Sequence, residues 1–316
     1  MALWLVTGGA GFIGSHIAEG LAGMGERVRV LDDFSSGKME YLASVKDRVE
    51  IVRGDIRDER IVRRAMKRAD FVLHQAAMRS VPRSVEHPAE CNSINVEGTL
   101  KCLLAAKDAG VKRFVLASSS SIYGDSTKFP QKEADLPEPV SPYAVSKLTG
   151  EHYCRVFSKT FGLSTVSLRY FNVFGPRQDP KSRYAAVVPR FIISALKGSP
   201  LEVHWDGRQS RDFTYVTDVV RANILAALAK KPSQGVYNVA CGTSTSLLDI
   251  IRLLGKELRR PLKMRFFPKR EGDVRKPWAN IAAVRRELGF RSGVPFGTGL
   301  KRTLEFFAEN KRWQEY

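Results

Sequence analysis

Short apolar runs alternate with amphipathic stretches through the first half of the chain. Ala2 to Val6 is continuously apolar, long enough for a buried strand, and His16 to Met24 repeats its apolar residues at helical spacing. Arg27 to Leu31 alternates and ends at Asp32-Asp33. Val49 to Val52 predicts a third strand ending at Gly54-Asp55-Ile56, and Phe71 to His74 a fourth, followed by Gln75-Ala76-Ala77. Asn95 to Ala109 reads as a strong amphipathic helix closed by Gly110. Arg113 to Leu116 is the next strand, Tyr143 to Phe161 a helix after a proline-rich loop, and Val166 to Arg169 a sixth strand. This alternation predicts an α/β fold: a Rossmann-type, doubly wound parallel sheet with helices on both faces.

From about Phe174 the texture changes, with shorter elements and recurring prolines. Val187 to Lys197, Val219 to Lys230 and Leu247 to Leu258 predict helices, and Tyr237 to Ala240 one more sheet strand. The expected organisation is a dinucleotide-binding domain over 1–173, a smaller α/β substrate lobe mainly over 174–316, and a segment, 213–245, that threads back into the first domain. No internal repeat is visible.

The first chemistry lies at Thr7-Gly8-Gly9-Ala10-Gly11-Phe12-Ile13-Gly14, where a strand breaks into a glycine turn and then a helix. Glycines let backbone approach a pyrophosphate, and the helix N-terminus offers free N–H groups and a positive dipole end. The spacing is G-x-x-G-x-x-G, a departure from G-x-G-x-x-G. Asp32 stands at the tip of the second strand, where an acid accepts hydrogen bonds from ribose hydroxyls and repels a 2′-phosphate. NAD is therefore expected over NADP. Asp33, Phe34, Ser35, Ser36 and Gly37 form the turn beside it and join the expected cofactor-facing set. Asp55 falls where the adenine end would lie, with Ile56 next to it. Gln75, Ala76 and Ala77 are compact enough at a strand tip for a cofactor to pass closely. His74 reads as a packed core histidine.

Composition narrows the class. A chain of 316 residues with 43% apolar and 9% aromatic content is globular. A net charge of +18 raises nucleic-acid binding, but the basic residues are scattered among acids, as in Asp58-Glu59-Arg60 and Arg285-Arg286-Glu287, and no nucleic-acid module is present. Steering of an anionic ligand is the better use for that charge. Cys91, Cys102, Cys154 and Cys241 stand far apart, without metal-site spacing, so no metal is expected. No apolar segment approaches the roughly 18 residues of a membrane helix. The chain opens directly on its first strand, so no signal peptide and a cytoplasmic location are expected.

The second piece of chemistry is Tyr143-Ala144-Val145-Ser146-Lys147, a tyrosine and a lysine one turn apart on one helix face. A free phenol, with a pKa near 10, is too weak a base at neutral pH. An ammonium about 4 Å away contributes up to roughly 4 kcal/mol at an intermediate dielectric, equivalent to about three pKa units. An oxidised nicotinamide would add to it. Tyr143 is the expected general base, and Ser119, from the serine run 118–121 that follows a strand, would orient the substrate's hydroxyl or carbonyl.

The glycine turn, Ser118-Ser119-Ser120, Tyr143-x-x-x-Lys147 and Leu168-Arg169-Tyr170-Phe171-Asn172 together resemble the extended short-chain dehydrogenase/reductase family, and within it the UDP-galactose (UDP-glucose) 4-epimerases and their UDP-N-acetylglucosamine relatives. The resemblance implies Ser119, Tyr143 and Lys147 as catalytic residues. It puts Gly8, Gly11, Phe12, Ile13, Asp32, Asp55, Ile56, Ala76 and Asn95 at NAD-binding positions. It implies a UDP-hexose site that includes Ser119, Ser120, Ser121 and Tyr143, with Asn172 and Arg211 on the diphosphate, Val188 and His204 at the uracil, and Arg270 and Asp273 as a phosphate arginine and a ribose carboxylate. The implied reaction is reversible inversion at C4 through a 4-keto sugar, with UDP-galactose and UDP-glucose as the pair. The helices over 95–109 and 144–161 match those of a homodimer interface in that family.

The chain departs from the family pattern at three places: His204 replaces a larger aromatic, Trp205 stands where many relatives have glycine, and Pro277 falls at the position governing entry of an N-acetyl group. Ser120 and Ser121 replace the acids that dehydratases and decarboxylases of the fold carry after the catalytic serine or threonine. UDP-N-acetylglucosamine and UDP-glucuronate 4-epimerases remain alternatives, since Arg177-Gln178-Asp179-Pro180 and Tyr184-Ala185-Ala186-Val187 resemble N-acetylhexosamine members. A non-catalytic dinucleotide sensor or RNA-binding protein is the reading from another class; the complete serine, tyrosine and lysine set speaks against it.

Overall fold

The computed structural model describes residues 1–180, 186–230, 235–269, 278–310 and 313. Its centre is a seven-stranded, fully parallel sheet: β1 (Leu3–Thr7), β2 (Arg27–Asp32), β3 (Val49–Arg53), β4 (Phe71–His74), β5 (Arg113–Ser119), β6 (Thr165–Tyr170) and β7 (Val236–Val239), in spatial order β7-β6-β5-β4-β1-β2-β3. Strand order reverses beside β1, whose neighbours are β2 and β4, so a crevice opens at the carboxyl ends there.

The central strand β1 is apolar on both sides because both faces are covered. In β1, Trp4 and Val6 pack into one layer with Ile17 and Leu21 of α1 (Phe12–Gly23), and Leu5 into the other with Cys102 and Leu103. The expected doubly wound sheet is thus present. The remaining helices used below are α2 (Gly98–Asp108), α3 (Pro142–Phe161), α4 (Val187–Lys197), α5 (Val216–Leu228), α6 (Leu247–Glu257) and α7 (Phe296–Glu309). A third apolar cluster joins α4, α6 and α7 through Phe191, Ile250, Leu254 and Leu304.

Local chemistry sets the element ends that matter for the site. The Ser141 hydroxyl accepts from the Ala144 amide and Pro142 begins α3, which ends at Gly162 in left-handed backbone (φ +71°). The helix after the glycine turn begins at Phe12, four residues earlier than periodicity predicts, so its free N–H groups lie against the turn. β5 runs on to Ser119, three residues beyond the apolar run, because Ser118 and Ser119 pair with Arg169 and Tyr170 of β6.

One difference has consequences for the site. The helix expected over Asn95 to Ala109 is wound as a π-helix from Ser93 to Glu97 before α2 begins at Gly98. The wider turn shifts helical register at Asn95.

Candidate active site

A cleft of ≈ 500 Å³ lies over the carboxyl ends of β1, β2, β4 and β5, with Gly8, Asp32, Ala76 and Tyr143 among its walls. Gly8 has φ +66°, and a Cβ there would sit 2.7 Å from the Ala76 amide nitrogen. The turn therefore rests directly on the residues after β4, which only glycine permits.

Asp32 is 7% exposed, and its two carboxylate oxygens accept from Ala10 N (2.9 Å) and Phe34 N (2.8 Å). Burial pushes its pKa up, against those two hydrogen bonds. Each oxygen keeps a lone pair for ribose. Asp55 also reaches the cleft, but its carboxylate is held by Arg57, whose Nε lies 3.0–3.1 Å from both oxygens. Gly11, Phe12, Ile13, Asp33, Ser35, Ser36, Ile56, Gln75 and Ala77 also line the cleft.

Other expected cofactor residues stand elsewhere. Phe34 and Gly37 are not on the wall; Gly37 backs the site, since a Cβ there would meet an Asp32 oxygen at 2.7 Å. Asn95 is 3% exposed and turned inward. Its amide oxygen accepts from Met78 N (2.7 Å), and its amide nitrogen donates to Met78 O (3.1 Å) and Ser146 Oγ (2.9 Å). The π-turn aims this side chain at the loop after β4 and at α3, away from the cleft.

At the other end, α3 presents Tyr143 and Lys147 to the cleft. Ser121 donates twice to Ser119 Oγ, from its amide (3.1 Å) and its hydroxyl (2.9 Å). Both acceptor positions of Ser119 are thereby used, which leaves its own proton to be donated. Ser118 is on the cleft wall, and Ser119, next in the chain, lies off that wall. Ser120 and Ser121 sit in the turn Ser120–Tyr123, off the cleft wall.

The electrostatics differ from the simple lysine–phenol picture. Burial raises Tyr143, opposed by the Ser119 hydrogen bond and by the Arg79 charge. Lys147 Nζ stands 5.7 Å from the Tyr143 ring centre and donates to Ala117 O at 2.9 Å. Burial lowers Lys147 itself to about 8. The protein alone therefore holds Tyr143 protonated at neutral pH, and the expected approach to neutrality needs the charge of an oxidised nicotinamide added to that of Lys147.

Of the expected sugar-nucleotide residues that the structure describes, Tyr143 lines this cleft, while Asn172, Val188, His204 and Arg211 do not. Asn172, at φ +33°, donates from Nδ2 to Asp212 O (3.0 Å) and ties the end of β6 to the segment that carries Arg211. Arg211 donates to Ser210 O (2.9 Å), on a short strand paired with Thr245–Ser246. Val188 is 1% exposed and packs in the third apolar cluster, so its side chain offers nothing to a uracil ring. His204 stacks on Phe267 at 5.3 Å. Trp205 has φ +59°, a backbone that favours glycine. Arg270, Asp273, Pro277 and Tyr184 lie outside the described residues.

Sequence reasoning missed Tyr41, Arg79 and Arg177 on the wall. Arg177 donates to Glu19 (3.0 Å) and Ser15 (3.3 Å) of α1. Its only sequence signal was the Arg-Gln-Asp-Pro segment. Among the described residues no cluster of His, Cys, Asp or Glu could hold a metal, and no helix is long and apolar enough to cross a membrane.

The parallel sheet, the glycine turn at its switch point and the acid on the neighbouring strand define a dinucleotide-binding α/β enzyme with a tyrosine and a lysine one helix turn apart at the cleft. Over residues 4–240 the chain matches the NAD dependent epimerase/dehydratase family, and it belongs to that family, among the extended short-chain dehydrogenase/reductase epimerases. NAD is its cofactor. The UDP-glucose 4-epimerase of Mycolicibacterium smegmatis is 36% identical over 308 residues, covering 96% of this chain and 97% of that protein. Two solved structures superpose over 98% of this chain and 99% of their own, each at 38% identity. One is the UDP-N-acetylglucosamine 4-epimerase of Methanobrevibacter ruminantium in complex with UDP-N-acetylmuramic acid, at a TM-score of 0.94. The other is the UDP-glucose 4-epimerase of Thermotoga maritima with UDP-glucose, at 0.92.

Proposed function

We propose that this enzyme inverts C4 of a UDP-hexose and interconverts UDP-galactose and UDP-glucose. The observation that carries the reading is Tyr143 and Lys147 together on the wall of the cleft that fits NAD, one turn apart on α3 with Lys147 Nζ 5.7 Å from the Tyr143 ring centre. The fit rests on the Gly8 approach to Ala76 and on the free lone pairs of Asp32.

Bound NAD supplies the acceptor and donor of the C4 hydride and, when oxidised, a positive charge near the phenol. Tyr143 takes the proton of the 4-hydroxyl and returns it after the sugar has presented its other face. Ser119 donates to the oxygen that gains negative charge, and Lys147, cationic below about pH 8, favours the phenolate. A phenol raised by burial is a good acid for the return step, and the added cofactor charge favours its ionisation for the first.

Asn172, Arg211 and His204, with Arg270 and Asp273, are proposed to hold the UDP moiety. Two guanidiniums suit a diphosphate through forked hydrogen bonds. Residues 1–173, with 213–245, would form the NAD-binding domain and 174–316 mainly the UDP-sugar lobe. We also infer a homodimer in the cytoplasm. Val145, Val156 and Phe161 on α3 and Leu104 on α2 stay exposed, as a helical interface between two copies requires.

The test is turnover of UDP-galactose, UDP-glucose, UDP-N-acetylglucosamine and UDP-glucuronate, assayed side by side without added cofactor. UDP-galactose and UDP-glucose should interconvert. Tyr143→Phe should lose at least about 100-fold in kcat; near-normal turnover in that variant would remove the assignment.

A further inference from the structure

We infer that Trp313 is a positioning residue that holds the wall of the NAD cleft in place from the far end of the sequence. The wall concerned is the segment after β2, which carries Asp33, Ser35, Ser36 and Tyr41 into the cleft. Its own fastenings are mostly local: Phe34 N and Ser35 N donate to Asp32 and Asp33, and Lys38 N donates to Ala10 O in the glycine turn at 2.9 Å.

Trp313 supplies a remote one. Its indole lies 4.6 Å beneath the Lys38 ammonium, and the same ammonium stands 5.7 Å over the Tyr41 ring. The indole is 2% exposed and meets Phe307 of α7 edge-on at 5.9 Å, so α7 fixes its orientation. Tyr41 and Trp313 belong to one buried apolar cluster. Lys38 is thus within cation–π reach of both a cleft residue and an anchored indole, and a cation held by two aromatic rings resists displacement of either. Loss of the indole leaves the Lys38 ammonium only Tyr41 and its 3.8 Å ion pair with Glu40 in the same segment. It also opens a gap beside Tyr41 in the apolar cluster, and so loosens the backbone that passes Gly37 behind the Asp32 carboxylate. Cofactor retention should suffer while the Ser119, Tyr143 and Lys147 chemistry stays intact.

The experiment measures NAD content after purification, the Kd for NAD of the stripped protein, and hydrogen exchange over residues 33–42. Trp313→Ala should raise that Kd at least 10-fold and speed exchange in the segment, with kcat at saturating NAD within twofold of wild type. Trp313→Phe keeps an aromatic face and should stay within threefold of the wild-type Kd. Lys38→Met, which removes only the cation, should raise the Kd between these limits. An unchanged Kd in Trp313→Ala, or a loss of kcat at saturating NAD equal to the loss of affinity, overturns the inference. Because Kd and exchange are read without any sugar nucleotide, this outcome is independent of which UDP-sugar is turned over.

Discussion

Arg169 clasps Glu151 through two parallel hydrogen bonds, Nε to Oε1 at 2.9 Å and Nη2 to Oε2 at 2.8 Å, with side chains 4% and 3% exposed. Glu151 lies one turn past Lys147 on α3, and Arg169 lies on β6 opposite Ser118. Ser118 Oγ donates to Glu151, and a further Arg169 nitrogen donates to Tyr123 Oη at 2.8 Å. The pair therefore sets the catalytic helix against the strand end that carries Ser119.

A buried pair of this kind stabilises little over an apolar pair, but half of it is costly to leave behind. Arg169→Met should destabilise by about 3–5 kcal/mol, because the Glu151 carboxylate stays enclosed without its cationic partner, with only the Ser118 hydroxyl left to it. Glu151→Leu combined with Arg169→Met should recover most of that loss. Urea midpoints of the single and double variants check it; a double variant no better than the single one refutes the account.

Lys147 predicts a pH dependence of the opposite sense to an ordinary surface lysine. Burial lowers it from 10.5 to about 8. Below pH 8 both folded and unfolded chains hold the proton, and the full cost of burying the charge is present. Between 8 and 10.5 the unfolded chain holds more protons, so stability rises with pH, by about 3 kcal/mol in all. Lys147→Met should lack that rise when urea midpoints are compared at pH 7 and 9.5. Turnover by the wild type should move the other way, falling above pH 8 as the ammonium is lost.

Gly8 offers a geometric prediction. Gly8→Ala puts a Cβ 2.7 Å from Ala76 N, in a left-handed backbone that costs about 1 kcal/mol for alanine. The glycine turn must move off the residues after β4. NAD bound to the purified protein should fall about 10-fold or more, as a shift of about 1.4 kcal/mol gives, read from its absorbance after denaturation.

The parts of the site that were legible in the sequence are those made by local backbone chemistry. Gly8, Asp32 and the Tyr143–Lys147 spacing each reflect one turn, one strand tip or one helix face. Arg79 and Arg177 escaped because loops bring them to the cleft only after the sheet has assembled, and an arginine on a loop has no periodicity. Asn95 sits inside an amphipathic repeat, and nothing in that repeat announces the wider turn that rotates it inward. Val188 is apolar at a helix start, where core packing and ligand contact leave the same signature. The sheet itself was readable because short apolar runs, required where a strand is covered on both faces, recur between the amphipathic stretches.

His74, expected to be a core histidine, joins the base of the cleft in a directed chain. Thr99 Oγ1 donates to Asn95 O at 2.6 Å, so it accepts from His74 Nε2 at 3.0 Å. Nδ1 is then unprotonated and accepts from Thr7 Oγ1 at 2.7 Å, while Thr7 Oγ1 accepts from Ala76 N at 3.3 Å. The ring must be neutral, and burial lowers its pKa to about 3. Between pH 6.5 and 3 the unfolded chain binds the extra proton, so the contribution to stability is fully present above 6.5 and is lost as pH falls. The loss approaches about 5 kcal/mol at the acid end. Ring nitrogen shifts of His74 should show the Nε2–H tautomer and no titration above pH 4. Thr99→Val, which leaves that N–H without an acceptor, should cost about 1–3 kcal/mol; a His74 ring that titrates near 6.5 in the folded protein would break the chain of donors.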